Sequence, residues 1–233
     1  MQLKESYILI TGGSLGIGKA SAKLLIEAGA NVAITGRDLG RVKEAADELG
    51  AIAIAADVSS SKDVERTYAE LSEHFPKLDA LINNAGIGSF QTLVELDESA
   101  MREVWETNVL GATLMAKHAA KLFIEQNYGN IINVASTAAL KGFARGTSYA
   151  STKFALRGLS ECWRAELRPH NVRVVTICPS EVTTAFNNPE RHEREMEPNK
   201  LRSVDIAHTV KAALEMDDRG FIPELNVFAT NPF

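Results

Sequence analysis

The strongest constraint in this chain is a series of short apolar runs that do not alternate with polar residues. They read YILIT (7–11), NVAIT (31–35), AIAIAADV (51–58), LDALINNAG (78–86), GNIINVAS (129–136) and NVRVVTICPS (171–180). A strand with one solvated face alternates apolar and polar residues, whereas a strand covered on both faces reads as a continuous run. Segments of helical periodicity lie between the runs, at about 16–28, 38–50, 59–75, 99–126 and 149–168. The helix over 99–126 carries a possible break near Gly111. A last helix, about 203–216, precedes a short strand near 225–228. This βαβ rhythm implies right-handed crossovers and a doubly wound parallel sheet in a three-layer α/β/α arrangement.

At 233 residues, 45% of them hydrophobic, the chain has material for one large α/β domain, expected to span 1–233. The formal net charge of -5 argues against a nucleic-acid partner held through phosphates. The N-terminal MQLKES and the short YILI run have neither the pattern of a signal peptide nor the length of a membrane span. The two cysteines, Cys162 and Cys178, have no metal-like spacing, and the five histidines form no metal-like cluster. A cytoplasmic protein without metal or membrane partner is expected.

The turn TGGSLGIG (11–18) links the first expected strand to the first helix. Glycine there permits a tight turn and a close approach of backbone to phosphate, and the helix N-terminus presents free N–H groups and a positive dipole end. Gly12, Ser14, Leu15, Gly16, Ile17 and Gly18 are therefore candidate dinucleotide contacts on a Rossmann-type sheet. The second strand runs into TGRD, which places Arg37 where an acidic residue would accept from a free ribose 2′-hydroxyl. A guanidinium there suits a 2′-phosphate, so NADP(H) is favoured, with NAD(H) as the alternative. Asp38 doubles as a cap for the next helix, and Leu15 adds no second basic group.

In SYASTKFALRG, Tyr149 and Lys153 stand one helical turn apart and project the same way. A phenol titrating near 10 exchanges protons poorly at neutral pH, and a nearby ammonium lowers that value. Lys153 is expected to act on Tyr149 in this way.

With the glycine turn, NNAG (83–86) and Tyr149-x-x-x-Lys153 in this order, residues 7–184 resemble the short-chain dehydrogenase/reductase family. The resemblance implies adenine-side contacts from Asp57 and Val58, and ribose-side contacts from Asn84, Ala85 and Gly86. It implies nicotinamide-side contacts from Pro179, Val182 and Thr184, with Tyr149 and Lys153 also touching the cofactor. Asn108, Ser136, Tyr149 and Lys153 fall at the positions of a catalytic tetrad. Ser136 would hold the substrate oxygen, Tyr149 would give it a proton, Lys153 would hold the ribose, and Asn108 would anchor a water in a proton path. The implied reaction reduces a ketone to a secondary alcohol, most similarly to reductases of carrier-bound 3-oxoacyl groups. Another small carbonyl, such as a sepiapterin-like substrate, and a non-catalytic dinucleotide-binding regulator are the alternatives.

The family usually has glycine where this chain has Ser180, so a different turn is expected there. Residues 185–203 fall at the place of a short substrate lid. Leu140, Phe143 and Phe186 are candidate pocket walls, and Lys141 and Arg145 candidate contacts for an anionic substrate. The resemblance implies a homodimer or homotetramer, paired through the helices that contain 100–126 and 149–168.

Overall fold

The computed structural model describes residues 1–188, 190–192, 194–195 and 197–231. Seven strands form one sheet: β1 (Tyr7–Ile10), β2 (Asn31–Gly36), β3 (Ile52–Ala55), β4 (Ala80–Asn83), β5 (Gly129–Val134), β6 (Val172–Pro179) and, last in the chain, Glu224–Val227. Two further short strands, β7 (Val182–Thr183) and β8 (Leu201–Arg202), pair with each other, so Glu224–Val227 is β9. The sheet order is β3-β2-β1-β4-β5-β6-β9, and every pairing is parallel.

Parallel neighbours need crossovers, and helices supply them. These are α1 (Gly16–Glu27), α2 (Leu39–Leu49), α3 (Ser61–His74), α4 (Glu98–Trp105), α5 (Ala112–Gln126), α6 (Thr147–Leu167) and α7 (Ser203–Glu215). Successive strand side chains face opposite layers. Ile8 and Ile10 join Leu25, Val42 and Val210 in one core, under α1, α2 and α7. Leu9 joins Val64, Met115 and Phe123 in the other, under α3 and α5. Two packed faces explain why the strands read as unbroken apolar runs.

The starts of α2, α3 and α4 follow from capping. Asp38, Ser60 and Asp97 accept from the backbone N–H groups of Arg41, Asp63 and Ala100, at 2.9, 3.3 and 2.8 Å. Gly50, with φ 71°, closes α2. The third strand ends earlier than its run of apolar letters. Asp57 turns back on itself, its carboxylate accepting from the Ser59 N–H and hydroxyl at 2.9 and 2.7 Å. The expected helix over 99–126 is α4, a π-helical stretch from Glu106 to Gly111, and α5. The break is therefore a widened turn that begins before Gly111, and Asn108 sits inside it.

The order of strands reverses between β1 and β4. Crossovers leave that junction on opposite faces, which opens a crevice at the carboxyl ends of the strands.

Candidate active site

A cavity of about 1240 Å³ occupies this crevice. Its floor follows the strand ends: Gly12 after β1, Gly36 and Arg37 after β2, Asp57 and Val58 after β3, Asn84 to Gly86 after β4, Ser136 after β5, and Pro179 and Ser180 at the end of β6.

The glycine turn is held from both sides. Gly12 adopts φ 64°, and a Cβ there would lie 2.9 Å from the Ala85 Cα. A Cβ on Gly18 would overlap the Gly12 carbonyl oxygen. Asn84, expected at a ribose, lines the cavity and also braces this turn. Its amide nitrogen donates to the Thr11 and Gly12 carbonyls, at 3.0 Å each. The Thr11 hydroxyl accepts from the Asn84 and Ala85 N–H groups, also at 3.0 Å. The start of α1 is open. Leu15 precedes it with extended backbone, no side chain caps it, and no acidic residue stands in its first turn. Uncapped N–H groups at a positive helix end, facing a cavity, fit a phosphate group.

At the other end of the cavity, Tyr149, Lys153 and Ser136 come together. The Ser136 hydroxyl acts on the Tyr149 phenol, favouring its ionised form, and donates to the Pro179 carbonyl at 3.4 Å. It also accepts from the Ala138 N–H at 3.1 Å. The Lys153 ammonium donates to the Val134 carbonyl at 3.0 Å and lies 5.6 Å from the centre of the Tyr149 ring. Among the described residues its other two protons have no partner.

In the chain without cofactor, burial dominates the electrostatics of the pair. Burial pushes Tyr149 up to about 12, with the Ser136 hydroxyl working the other way. Burial pushes Lys153 down to about 8. Lys153, lowered to about 8, loses its proton before the phenol at about 12 does, so it carries no charge where Tyr149 titrates. Tyr149 is thus a protonated donor throughout the neutral range.

The Asn108 side chain is fully engaged within the chain. Its oxygen accepts from the Ile87 N–H at 2.9 Å, and its nitrogen donates to the Ile87 carbonyl at 2.9 Å and the Thr152 hydroxyl at 3.0 Å. Thr152 in turn donates to the Tyr149 carbonyl at 2.7 Å. Both amide protons are used, so Asn108 clamps the segment after β4 to the helix turn that carries Tyr149.

Three rings surround the phenol. Phe90 and Phe186 lie 5.4 and 5.5 Å from the Tyr149 ring, and Phe143 lies 6.2 Å from Phe90. Phe90 was not visible as a wall residue, since only the turn after β4 brings it across from Phe186. Leu140 and Lys141 line the cavity as well. Arg145 is diverted: its guanidinium donates to the Phe90 carbonyl at 3.1 Å.

Ser180 needs no special turn. It has no left-handed backbone, and its N–H donates to the Val227 carbonyl at 2.8 Å, continuing the β6–β9 ladder. The Val182 carbonyl accepts from Arg194 at 3.1 Å, and the Thr184 hydroxyl accepts from the Phe186 N–H at 3.1 Å. The expected lid at 185–203 includes positions 189, 193 and 196, which lie outside the described residues. Among the described residues no group of acidic, histidine or cysteine side chains could hold a metal, and no helix is long and apolar enough to cross a membrane.

Comparison with known proteins agrees with this layout. The profile of the short chain dehydrogenase family matches residues 6–195. Human 3-oxoacyl-[acyl-carrier-protein] reductase is 33% identical over 217 residues, covering 91% of this chain and 92% of that protein. The structure of 3-ketoacyl-(acyl-carrier-protein) reductase from Brucella melitensis, complexed with NADH, superposes with a TM-score of 0.89 at 28% identity, covering 99% of this chain and 100% of the other. An alcohol dehydrogenase from the archaeon Thermococcus sibiricus, complexed with 5-hydroxy-NADP, superposes with a TM-score of 0.88 at 28% identity, covering 97% of each chain.

Proposed function

The chain belongs to the short-chain dehydrogenase family, whose members are oxidoreductases acting on carbonyl and CH–OH groups, and from that premise we propose that it is an NADP(H)-dependent ketone reductase. The observation that carries the proposal is the protonated Tyr149 phenol, lining with Ser136 and Lys153 one end of a cavity whose other end is the uncapped start of α1. The turn 12–18, Arg37, Asp57, Val58 and residues 84–86 would hold the dinucleotide, with Pro179, Val182 and Thr184 beside the nicotinamide.

When bound, the reduced nicotinamide supplies the hydride that the carbonyl carbon receives. Tyr149 gives its hydroxyl proton to the carbonyl oxygen as the alcohol forms. Ser136 holds that oxygen beside the phenol through its hydroxyl. Lys153 has two donor protons left for ribose hydroxyls. Asn108 acts as a positioning residue, through Thr152 and the Ile87 segment.

The NADP(H) preference is supported by Arg37 at the end of β2 and by the use of Asp38. The Asp38 carboxylate caps α2 and lies 3.4 Å from Arg41, which takes it from the role of ribose acceptor.

A carrier-bound 3-oxoacyl group is the leading substrate class, supported by the identity to the human reductase. The rings of Phe90, Phe143 and Phe186 favour a second reading, a free ketone bearing an apolar ring. The same proposal has the whole chain act as one catalytic domain in a reducing, cytoplasmic compartment, consistent with two free cysteines. It pairs through α4, α5 and α6 into a homodimer or homotetramer, where Trp105, Leu110, Ile124 and Phe154 are exposed.

The test is turnover of a 3-oxoacyl thioester and an aryl ketone with NADPH and with NADH. Tyr149→Phe should keep NADPH binding and lose about 100-fold or more in reduction. A wild-type protein that binds NADPH tightly and reduces neither ketone would overturn the enzyme reading.

A further inference from the structure

The adenosine end of the cavity holds three guanidinium groups from two distant parts of the chain. Arg37 follows β2 and Arg41 lies in the first turn of α2. Arg191 comes from the segment between β7 and β8, about 150 residues later, and all three line the same cavity.

A built turn carries Arg191. Its N–H donates to the Asn188 carbonyl at 3.0 Å. The Asn188 side chain accepts from the Glu190 N–H at 2.9 Å and donates to the His192 carbonyl at 3.0 Å. One asparagine thus brackets the arginine on both sides.

The acidic groups nearby are spoken for or distant. Asp38 lies 3.4 Å from Arg41, and Glu103 lies 3.8 Å from Arg37, both exposed. Glu190 faces His192 at 3.3 Å. The neighbouring Arg194 is tied to Glu181 at 3.2 Å. Among the described residues, the half-buried Arg191 guanidinium has no carboxylate. Partial burial, then repulsion from Arg37 and Arg41, lowers its pKa. A third cation held against two others without an anion is a site incomplete until a multiply charged anion arrives.

We propose that Arg191 is a specificity-determining residue for the cofactor, completing with Arg37 and Arg41 a three-guanidinium site for the ribose 2′-phosphate. This rests on the NADP(H) reading and adds to it a residue from the segment that flanks the substrate side. A phosphate monoester with nearly two negative charges near pH 7 offers three acceptor oxygens, enough for one bond to each guanidinium.

The experiment measures equilibrium binding of 2′,5′-ADP and of 5′-ADP to the apo protein by titration calorimetry. Wild type, Arg37→Ala, Arg41→Ala, Arg191→Ala and Arg191→Lys are compared. Alanine retains the Cβ, so the left-handed backbone at 191 (φ 57°) is no more strained in the variant. The expected result is a loss of about tenfold in 2′,5′-ADP affinity for Arg191→Ala. Binding of 5′-ADP should stay within about twofold, and Arg191→Lys should recover part of the loss. If wild type binds both nucleotides equally, the NADP(H) reading itself fails. If Arg37→Ala or Arg41→Ala loses the preference while Arg191→Ala keeps it, only the role of Arg191 is overturned. An equal loss for both nucleotides in Arg191→Ala also overturns it, by making the residue structural.

Discussion

Replacing Lys153 with methionine tests the electrostatics of the site directly, without cofactor or substrate. The ammonium is buried, at 5% exposure, with one hydrogen bond, to the Val134 carbonyl. Its pKa falls from 10.5 to about 8. At about 1.4 kcal/mol per pKa unit, the charged form costs the folded state about 3 kcal/mol near neutral pH. The sign follows from proton binding. Between pH 8 and 10.5 the unfolded chain still holds the lysine proton and the folded one has released it, so stability rises with pH in that window. Tyr149, raised to about 12, and Cys178, raised to about 11, act the other way, and their contributions are lost as pH rises through their own ranges. Both groups are present in wild type and in Lys153→Met, so to first order they cancel in the difference. Urea unfolding of the two apo proteins at pH 7, 8, 9 and 10 isolates the lysine. Relative to Lys153→Met, wild type should gain about 2–3 kcal/mol from pH 7 to pH 10. A difference constant within about 0.5 kcal/mol would refute the assignment of a desolvated ammonium at this position.

Two other changes probe the frame around it. Asn108→Ala removes three hydrogen bonds, one of them buried, and leaves the half-buried N–H and carbonyl of Ile87 without their partner. It should lower stability by about 2–3 kcal/mol in urea titration, and an effect below about 0.5 kcal/mol would show that water replaces the clamp. Gly18→Ala drives a methyl into the Gly12 carbonyl and to 2.6 Å from the Asn84 amide nitrogen. Overpacking against backbone predicts a loss of about 1–3 kcal/mol and weaker NADPH binding in fluorescence titration; unchanged affinity would mean that the turn does not hold the phosphates.

What the sequence disclosed follows the range of the forces involved. The strands were legible because both sheet faces are packed, which fills 31–36, 129–134 and 172–179 mostly with apolar residues and buries the polar Thr35, Asn130, Asn133, Arg173 and Thr176. The glycine turn was legible because its backbone demands leave a local trace in residue type. The direction of a side chain leaves none. Lys153 and Tyr149 share a helix face, but the carbonyl that takes the ammonium belongs to Val134 on β5, and no spacing rule connects the two. Nothing in the residues around Asn108 showed that the π-helical turn sets its side chain against Ile87 and Thr152. Arg145 looked free until the segment after β4 presented the Phe90 carbonyl. The buried chain from Asn83 through Asn133 to Ser160 has bonds of 3.0 and 2.8 Å and joins β4, β5 and α6. Its three members are ordinary polar letters until the register pairs Asn83 with Asn133.

The net charge also needs to be read by place. A total of -5 argued against a partner gripped through many phosphates, and that argument holds for a surface. The cavity has the opposite balance. Arg37, Arg41, Lys141, Lys153, Arg191 and Arg194 line it against Asp38, Asp57 and Glu181. Those three carboxylates are already engaged: Asp38 by α2 and Arg41, Asp57 by Ser59, and Glu181 by Arg194 and Lys200. A concave site concentrates the positive field of the cations left without a carboxylate, which favours an anionic ligand in this cleft even on a chain of negative net charge. At the inner end, the same field meets a phenol that burial keeps protonated. In the proposed reaction, an alkoxide forming beside Tyr149 would gain its proton from this neutral acid, with Lys153 nearby as the cation. The wall around the carbonyl's substituents is made of Phe90, Phe143 and Phe186, which add apolar surface and no charge. These rings give the cavity an apolar lining there, and Lys141, next in the chain to Leu140, adds one cation to the wall.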